Sequence, residues 1–253
     1  MDRIALITGA TSGFGAATAR RFAADGWKLI LTGRREERLQ EMVDELGGPD
    51  RVLARPMDMR DRKAVEQGLG DLPEAFASVE LLVNNAGLAR GLEPAWEYDV
   101  DDWEVMIDTN IKGLLYATHT VLPGMVERNR GHIVNLGSTA ASWPYVGGNT
   151  YGGTKAFVQQ FTRNLRADLT GRPIRATLIE PGLCETEFSI VRFGGDAEKA
   201  KSLYAGKGPI RPEDIAETIW WVVNMPAHVN INRIEMMPVS QSWAPLSVTE
   251  VKK

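Results

Sequence analysis

Short runs of apolar residues recur along the chain, separated by longer stretches whose apolar positions have helical spacing. The short runs are rich in valine, isoleucine and leucine, which is typical of strands in a sheet that is covered on both faces. They predict strands over 4–8, 28–32, 52–58, 81–85, 132–136, 175–180 and 231–237. The stretches between them predict helices over 14–25, 35–46, 61–71, 99–128, 151–170 and 212–224.

This alternation of strand and helix predicts an α/β protein with a doubly wound, Rossmann-like parallel sheet. We found no linker between domains, so we expect a single domain over residues 1–253. Pro181-Gly182, Gly194-Gly195 and Gly206 interrupt a stretch of weak periodicity. Residues 183–211 are therefore expected to form a small loop-and-helix substrate lid over the edge of the sheet.

Composition and charge exclude several classes of protein. The net charge of −4 argues against nucleic acid or an anionic membrane as the main partner. No apolar run is long enough to span a membrane, and the N-terminus lacks the apolar region of a secretion signal. The single cysteine, Cys184, excludes an internal disulfide and fits a reducing compartment. We expect a soluble cytoplasmic protein. No metal site is expected, because His119, His132 and His228 lack metal-ligand spacing.

A glycine-rich turn follows the first predicted strand directly. Gly9, Gly13 and Gly15 lie between that strand and the first predicted helix. Glycines at such a turn let the backbone approach a pyrophosphate, with the helix N-terminus directed at it. Ordinary strand-to-helix turns also use glycine, so this pattern alone leaves that alternative open.

The end of the second predicted strand bears on the choice of cofactor. NAD sites usually carry an acidic residue here, which holds the ribose 2′-hydroxyl. This chain has Arg34 and Arg35 instead. Two guanidinium groups suit a 2′-phosphate, which predicts NADP. The alternative is a solvated helix start paired with Glu36 and Glu37, although arginine at a helix N-terminus opposes the dipole.

Tyr151 and Lys155 are four residues apart in SWPYVGGNTYGGTKAF, which predicts that both lie on one helix face. A free phenol titrates near about 10, too high for ready proton exchange at neutral pH. A neighbouring ammonium is expected to lower that pKa, so that Tyr151 exchanges a proton with a substrate oxygen. Tyr145 has no lysine at this spacing and is expected to shape the pocket. A core tyrosine beside an exposed lysine is the alternative.

Six motifs, in order along the whole chain, resemble those of the short-chain dehydrogenase/reductase family. They are TGATSGFG, NNAG (84–87), Asn110 in DTN, Ser138 in GST, Tyr151-Gly-Gly-Thr-Lys155 and PGLCET (181–186). TGRREERLQE and PAHVNIN further resemble the bacterial NADP-dependent 3-hydroxy acid dehydrogenases, which include malonic semialdehyde reductases, with sulfoacetaldehyde reductases as close relatives. The resemblance implies an oxidoreductase acting on a CH–OH group. It also implies a homotetramer, formed through the helices at 99–128 and 151–170.

The resemblance assigns roles to individual residues. It implies the catalytic set Asn110, Ser138, Tyr151 and Lys155, in which Ser138 polarises the substrate oxygen and Asn110 disturbs its helix and binds a water that links Lys155 to solvent. The alternative is that Asn110 is a surface residue with no role in the site. The cofactor-binding residues that it implies are Gly9, Thr11, Ser12, Gly13, Phe14, Gly15, Arg34, Arg35, Asp58, Asn84, Asn85, Tyr151, Lys155, Pro181, Gly182, Cys184 and Thr186.

The expected substrate is a small anionic aldehyde or the matching hydroxy acid, bound by Ser138, Tyr145 and Tyr151. Its anion needs a cation near these residues, and Arg192 is the first candidate and Arg90 the second. Arginine serves carboxylates and sulfonates alike, so both stay open, as does an uncharged carbonyl substrate. A non-catalytic NADP-binding regulatory protein is a remote alternative, since it would be expected to have lost part of the catalytic set.

The end of the chain is unusually apolar. Trp243, Leu246 and Val248 lead to the hypothesis that this tail docks on a neighbouring subunit near its active site.

Overall fold

Seven parallel strands form one sheet in the computed structural model, which describes residues 3–243. The strands are β1 (Ile4–Ile7), β2 (Lys28–Gly33), β3 (Val52–Pro56), β4 (Leu81–Asn84), β5 (Gly131–Leu136), β6 (Ile174–Pro181) and β7 (Arg233–Met236). Their order across the sheet is β3-β2-β1-β4-β5-β6-β7. The strand order reverses between β1 and β4, and ligands of such sheets bind beyond the carboxyl ends of the strands at this point.

Nine α-helices join and cover the strands within the described residues. They are α1 (Gly13–Ala24), α2 (Glu36–Glu45), α3 (Arg62–Gly70), α4 (Val100–Ile107), α5 (Gly113–Glu127), α6 (Asn149–Asp168), α7 (Glu187–Arg192), α8 (Ala197–Tyr204) and α9 (Pro212–Val223). None of the helices in residues 3–243 is both long and apolar enough to cross a membrane. The predicted doubly wound α/β fold is confirmed.

Both faces of the sheet are buried, which explains why the strands are apolar without alternation. On β2, Leu29 and Leu31 face one core cluster, and Ile30 faces the other. Successive side chains of a strand point to opposite faces, so a sheet with helices on both sides needs apolar residues at every position. Phe22 anchors the first cluster, with its ring edge-on to Trp27 at a centroid distance of 5.1 Å. This rigid sheet positions the loops at its carboxyl edge.

The helix predicted over 99–128 is interrupted. A π-helical stretch, Asp108–Lys112, separates α4 from α5. Single π-helical turns inside α-helices are rare and often occur at functional sites. The expected disturbance of the helix at Asn110 is therefore present.

The segment 183–211 contains two short helices, α7 and α8. The side chain of Thr186 caps α7 by accepting a hydrogen bond from the Phe188 N–H, and that of Asp196 caps α8 by accepting one from the Lys199 N–H. The helices have only 6 and 8 residues, which accounts for the weak periodicity of the sequence here.

Candidate active site

A cavity of about 660 Å³ lies beyond the carboxyl ends of the strands. Residues that end or follow all seven strands line it, such as Gly33 at the end of β2 and Met237 after β7. Such a volume is typical of a small-molecule or cofactor site. Arg34 and Arg35 lie towards the β2 side, and Ser138 and Tyr151 lie towards the β5 side.

The glycine-rich turn brings the backbone close to the cavity. Gly9 has φ of +66°, and a Cβ there would lie 2.9 Å from the Cα of Ala86. A Cβ on Gly15 would lie 2.5 Å from the carbonyl oxygen of Gly9. The Ser12 side chain does not cap α1, so it leaves the first N–H groups of this helix available to a ligand. This arrangement suits an anionic group at the helix N-terminus.

Arg35 is held between this turn and α7. Its Nε and Nη2 donate to Thr11 Oγ1 at 3.1 and 2.9 Å, and its Nη1 donates to Glu187 Oε2 at 3.0 Å. Arg35 thus pairs with Glu187 rather than with Glu36 or Glu37, the partners assumed in the alternative interpretation. Arg34 also lines the cavity. The two guanidinium groups can bind an anion at this end.

Asp58 lines the cavity beside Arg34 and Arg35. Its Oδ2 forms an ion pair of 2.6 Å with Arg60 Nη2. The hydrogen bond from Arg60 is the main cause that lowers the pKa of Asp58, and the charge of Arg34 acts in the same direction. Asp58 is therefore an ionised acceptor at neutral pH.

Tyr151 and Lys155 lie in the first turns of α6, and both are buried. Lys155 Nζ donates to the carbonyl of Leu136 at 2.8 Å and lies 5.9 Å from the centroid of the Tyr151 ring. Burial lowers the pKa of Lys155 to about 8. The alternative of an exposed lysine is wrong, because Lys155 is only 6% exposed.

The pKa of Tyr151 differs from the expectation. Burial raises it to about 12, and this effect outweighs the charge of Arg192 and the hydrogen bond with Ser138, which both lower it. The prediction that Lys155 would bring this pKa below its usual value is therefore wrong, because burial is the largest effect on it. Burial disfavours the phenolate, so Tyr151 remains a protonated donor at neutral pH.

Ser138 follows β5 and faces the cavity. Its Oγ accepts a hydrogen bond of 3.1 Å from the N–H of Ala140, which fixes the side chain. Its hydroxyl also interacts with that of Tyr151. The two hydroxyl groups can therefore act on one substrate oxygen.

Asn110 lies behind the cavity wall, in the π-helical stretch. Its Oδ1 accepts from the Leu88 N–H at 2.8 Å, and its Nδ2 donates to the Leu88 carbonyl at 2.9 Å and to Thr154 Oγ1 at 3.0 Å. Thr154 in turn donates to the carbonyl of Tyr151 at 2.8 Å. The alternative of a surface asparagine is wrong, because Asn110 is buried and fastens the π-helical stretch to α6 between Tyr151 and Lys155.

Arg192 ends α7 and reaches the catalytic side chains. Its guanidinium carbon lies 5.1 Å from the ring centroid of Tyr151 and 5.0 Å from that of Phe188. Its Nη2 donates to the Tyr145 hydroxyl at 3.1 Å, and its Nε is buried without a partner among the described residues. Tyr145 is positioned by a tight loop, since Gly147 has φ of +77° and a Cβ there would collide with Leu92.

Besides Asn110, three of the candidate residues do not line the cavity. Arg90 is not among the lining residues, and its Nε lies 3.9 Å from Asp102 Oδ1. Asn84 is buried behind the wall, where its Nδ2 donates to Thr118 and Asn135. Gly15 packs against Gly9 and supports the turn. The remaining cofactor and substrate candidates line the cavity: Gly9, Thr11, Ser12, Gly13, Phe14, Arg34, Arg35, Asp58, Asn85, Ser138, Tyr145, Tyr151, Lys155, Pro181, Gly182, Cys184, Thr186 and Arg192.

Cys184 lies in the wall of the cavity. Burial raises the pKa of its thiol to about 12, so the thiolate is not populated at neutral pH. A nucleophilic cysteine needs a lowered pKa. Cys184 is therefore a packing residue here.

The structure adds cavity residues that sequence reasoning missed. Phe188 packs on the Tyr151 ring at a centroid distance of 5.6 Å, and Gln241 accepts a hydrogen bond from the Leu183 N–H at 2.6 Å. Trp143 and Trp243 lie at the rim, with ring centroids 5.8 Å apart. Trp243 thus contacts its own chain, whereas Leu246 and Val248 of the docking hypothesis lie outside the described residues. The sequence did contain a signal for Phe188, because this residue lies two positions after the PGLCET motif (181–186).

Comparisons with known proteins agree with this geometry. The NADP-dependent 3-hydroxy acid dehydrogenase YdfG of Salmonella typhi is 61% identical, over 97% of this chain and 98% of its own. Sulfoacetaldehyde reductase 2 of Chromohalobacter salexigens is 55% identical, over 98% and 99%. A solved closed form of serine dehydrogenase complexed with NADP⁺ has a TM-score of 0.96 and 58% identity, covering 98% of this chain and all of that chain.

The family comparison covers most of the chain. The model of the short chain dehydrogenase family matches residues 3–193, a range that includes the glycine-rich turn, Ser138, Tyr151 and Lys155. The first resemblance seen in the sequence is thereby confirmed. The chain belongs to the short-chain dehydrogenase family of oxidoreductases.

Proposed function

We propose that the protein uses NADPH to reduce a small anionic aldehyde to the hydroxy acid, and in reverse oxidises 3-hydroxy acids. The observation that carries this proposal is the position of Arg192. Its guanidinium lies against the Tyr151 ring, in the cavity that also holds Ser138 and Lys155. The names of the 3-hydroxy acid dehydrogenase and the sulfoacetaldehyde reductase support the same substrate class.

The residues of the cavity fit NADP. The uncapped N-terminus of α1 suits the pyrophosphate, and Arg34 and Arg35 suit the 2′-phosphate. Lys155, beside Tyr151, would hold the nicotinamide half, and Thr186, which lies against Gly13 of the glycine-rich turn, also lines the cavity. When bound, NADPH supplies the hydride that reduces the carbonyl carbon.

The protein supplies the proton and polarises the substrate carbonyl. The Ser138 hydroxyl donates a hydrogen bond to the carbonyl oxygen, because its own oxygen is already oriented by the Ala140 N–H. Tyr151, whose pKa is raised to about 12, donates its proton to that oxygen as the carbon is reduced. In the reverse direction the phenolate accepts the alcohol proton, so oxidation is favoured as the pH rises.

Arg192 gives the pocket its preference for an anion. Its guanidinium lines the cavity against the Tyr151 ring, and its Nη2 donates to the Tyr145 hydroxyl. A carboxylate or sulfonate a few atoms from the carbonyl can pair with this guanidinium while the carbonyl reaches Ser138 and Tyr151. Arginine binds both groups well.

Arg192→Ala should lower kcat/KM for malonic semialdehyde by about 10- to 200-fold, the cost of one buried charge-assisted contact. The loss should be much smaller for propanal, which has no anion. Arg90→Ala is the matched control, because Arg90 faces Asp102 outside the cavity, and it should change neither value much. Equal losses for both aldehydes in Arg192→Ala would contradict the anion pocket.

NADPH should exceed NADH in kcat/KM by at least about 100-fold, since two charge-assisted contacts contribute about 1.5–3 kcal/mol each. Steady-state rates with both cofactors measure this ratio. The double variant Arg34→Ala/Arg35→Ala should lose the preference while keeping its NADH rate. Equal efficiency of the wild-type protein with both cofactors would contradict the proposed role of these arginines.

A sulfoacetaldehyde reductase that forms isethionate is the second candidate. The 55% identity to sulfoacetaldehyde reductase 2 favours it, and Arg192 serves a sulfonate as well as a carboxylate. An NADPH-oxidation assay with malonic semialdehyde, sulfoacetaldehyde, succinic semialdehyde and propanal separates the candidates. The remote alternative of a non-catalytic regulatory protein is disfavoured, because Asn110, Ser138, Tyr151 and Lys155 are all in place.

We also propose that the protein works as a cytoplasmic homotetramer, with 183–211 as its substrate lid. On α6, Phe157 stacks on Phe161 at a centroid distance of 5.9 Å while remaining partly exposed. An exposed pair of aromatic rings on a long helix is typical of a subunit interface. Light scattering would test the assembly directly.

A further inference from the structure

The carboxylate of Glu187, in the proposed lid, lies between two arginines. Arg35 precedes α2 directly, and Arg38 lies in its first turn. Glu187 Oε2 lies 3.0 Å from Arg35 Nη1, and Glu187 Oε1 lies 2.9 Å from Arg38 Nη1. Arg38 Nη1 also reaches Oε2 at 3.2 Å, so Arg38 holds both carboxylate oxygens. These contacts lower the pKa of Glu187, which is therefore ionised at neutral pH.

The helix that carries Glu187 also carries substrate-site residues. Glu187 is the first residue of α7, and Arg192 is the last. Phe188 and Arg192 both contact the ring of Tyr151. One short helix thus contacts the arginine end of the cavity with its first turn and the catalytic end with its last. Any movement of the first turn is transmitted over only 6 residues.

We infer that Glu187 competes with the 2′-phosphate for Arg35 and so sets the affinity for that phosphate. The inference rests on the proposed use of NADP. A phosphate at Arg34 and Arg35 brings at least one further negative charge beside the carboxylate, and like charges at short range repel. Arg35 then exchanges Glu187 for the phosphate, and Arg38 retains the carboxylate through its two contacts.

The competition acts on one class of ligand only. A nucleotide with a 2′-phosphate must displace Glu187 from Arg35, whereas a nucleotide with a free 2′-hydroxyl leaves the ion pair in place. Glu187 therefore reduces the affinity for the phosphorylated cofactor below what its arginines alone would give. It also ties the position of α7, and with it Arg192, to occupation of the 2′-phosphate site.

Adenosine 2′,5′-bisphosphate and 5′-AMP test this without any turnover. Isothermal titration of Glu187→Gln should give a Kd for the bisphosphate about 3- to 10-fold lower than that of the wild-type protein, a modest gain because the ion pair is partly exposed. The Kd for 5′-AMP should be unchanged. Glu41→Gln removes the same charge from an exposed position on α2 and should leave both constants unchanged.

Arg38→Gln distinguishes competition from direct binding. In the wild-type background it should weaken binding of the bisphosphate, because Glu187 then stays on Arg35. In the Glu187→Gln background it should have little effect on this Kd. Unchanged or weaker bisphosphate binding in Glu187→Gln, or a tightening equal to that of Glu41→Gln, would overturn the inference. Failure of the wild-type protein to prefer the bisphosphate over 5′-AMP would instead overturn the proposed cofactor.

Discussion

Tyr151→Phe should lower kcat by about 100- to 10,000-fold, the usual contribution of a positioned proton donor. The substitution removes only the hydroxyl. The ring keeps its packing on Phe188 at 5.6 Å and its contact with Arg192 at 5.1 Å, so the pocket keeps its shape. The protein should therefore fold, bind NADPH with nearly unchanged affinity and fail at the chemical step.

Measuring kcat beside the Kd for NADPH separates the two effects of Tyr151→Phe. Tyr145→Phe is the matched control, because it also loses one phenolic hydroxyl in the same cavity, but Tyr145 lies in the loop before α6 and has no lysine four residues after it. It should affect the binding of an anionic substrate through Arg192 more than the rate. A Tyr151→Phe protein that kept more than about a tenth of the wild-type kcat would show that another group supplies the proton.

Lys155→Ala should lower kcat/KM by at least about 100-fold, because a cation within a buried site stabilises developing negative charge strongly. It should also weaken NADPH binding, which Tyr151→Phe should not. Removal of the side chain leaves the carbonyl of Leu136 without the hydrogen bond of 2.8 Å that Lys155 provides. Lys63→Ala, at an exposed position of α3, is the control and should change neither constant.

The pH dependence of the reduction rate provides a second test of the role of Lys155. Its pKa is lowered to about 8, so the ammonium is charged below that pH and loses its charge above it. The rate of aldehyde reduction in the wild-type protein should therefore decline as the pH rises through about 8. In Lys155→Ala this inflection should be absent. An unchanged inflection in the variant would assign it to another group.

Much of the fold and part of the site could be predicted because the signals are local. The strands follow from short apolar runs, and the relation of Tyr151 to Lys155 follows from one helical turn. The contact between Arg35 and Glu187 spans 152 positions of the sequence, so no local pattern shows it. The raised pKa of Tyr151 likewise depends on burial, to which Phe188 of a distant helix contributes. Arg90 was a candidate through its place after NNAGLA, but only the fold directs its side chain to Asp102.

The strand order has a consequence for how the chain acquires its function during synthesis. β1 pairs with β4, and Ala5 lies opposite Leu81. One edge of β1 therefore has no strand to pair with until Leu81 and its neighbours have been synthesised. The last strand matters as much, since Arg233 is the ion-pair partner of Glu180, whose side chain is fully buried. A chain that ends before β7 leaves that carboxylate with its hydrogen bond from Gln159 but without its ion pair, and it lacks the Gln241 contact with Leu183. Contacts of such long sequence separation slow folding, and the cavity is complete only when the chain has left the ribosome through Trp243.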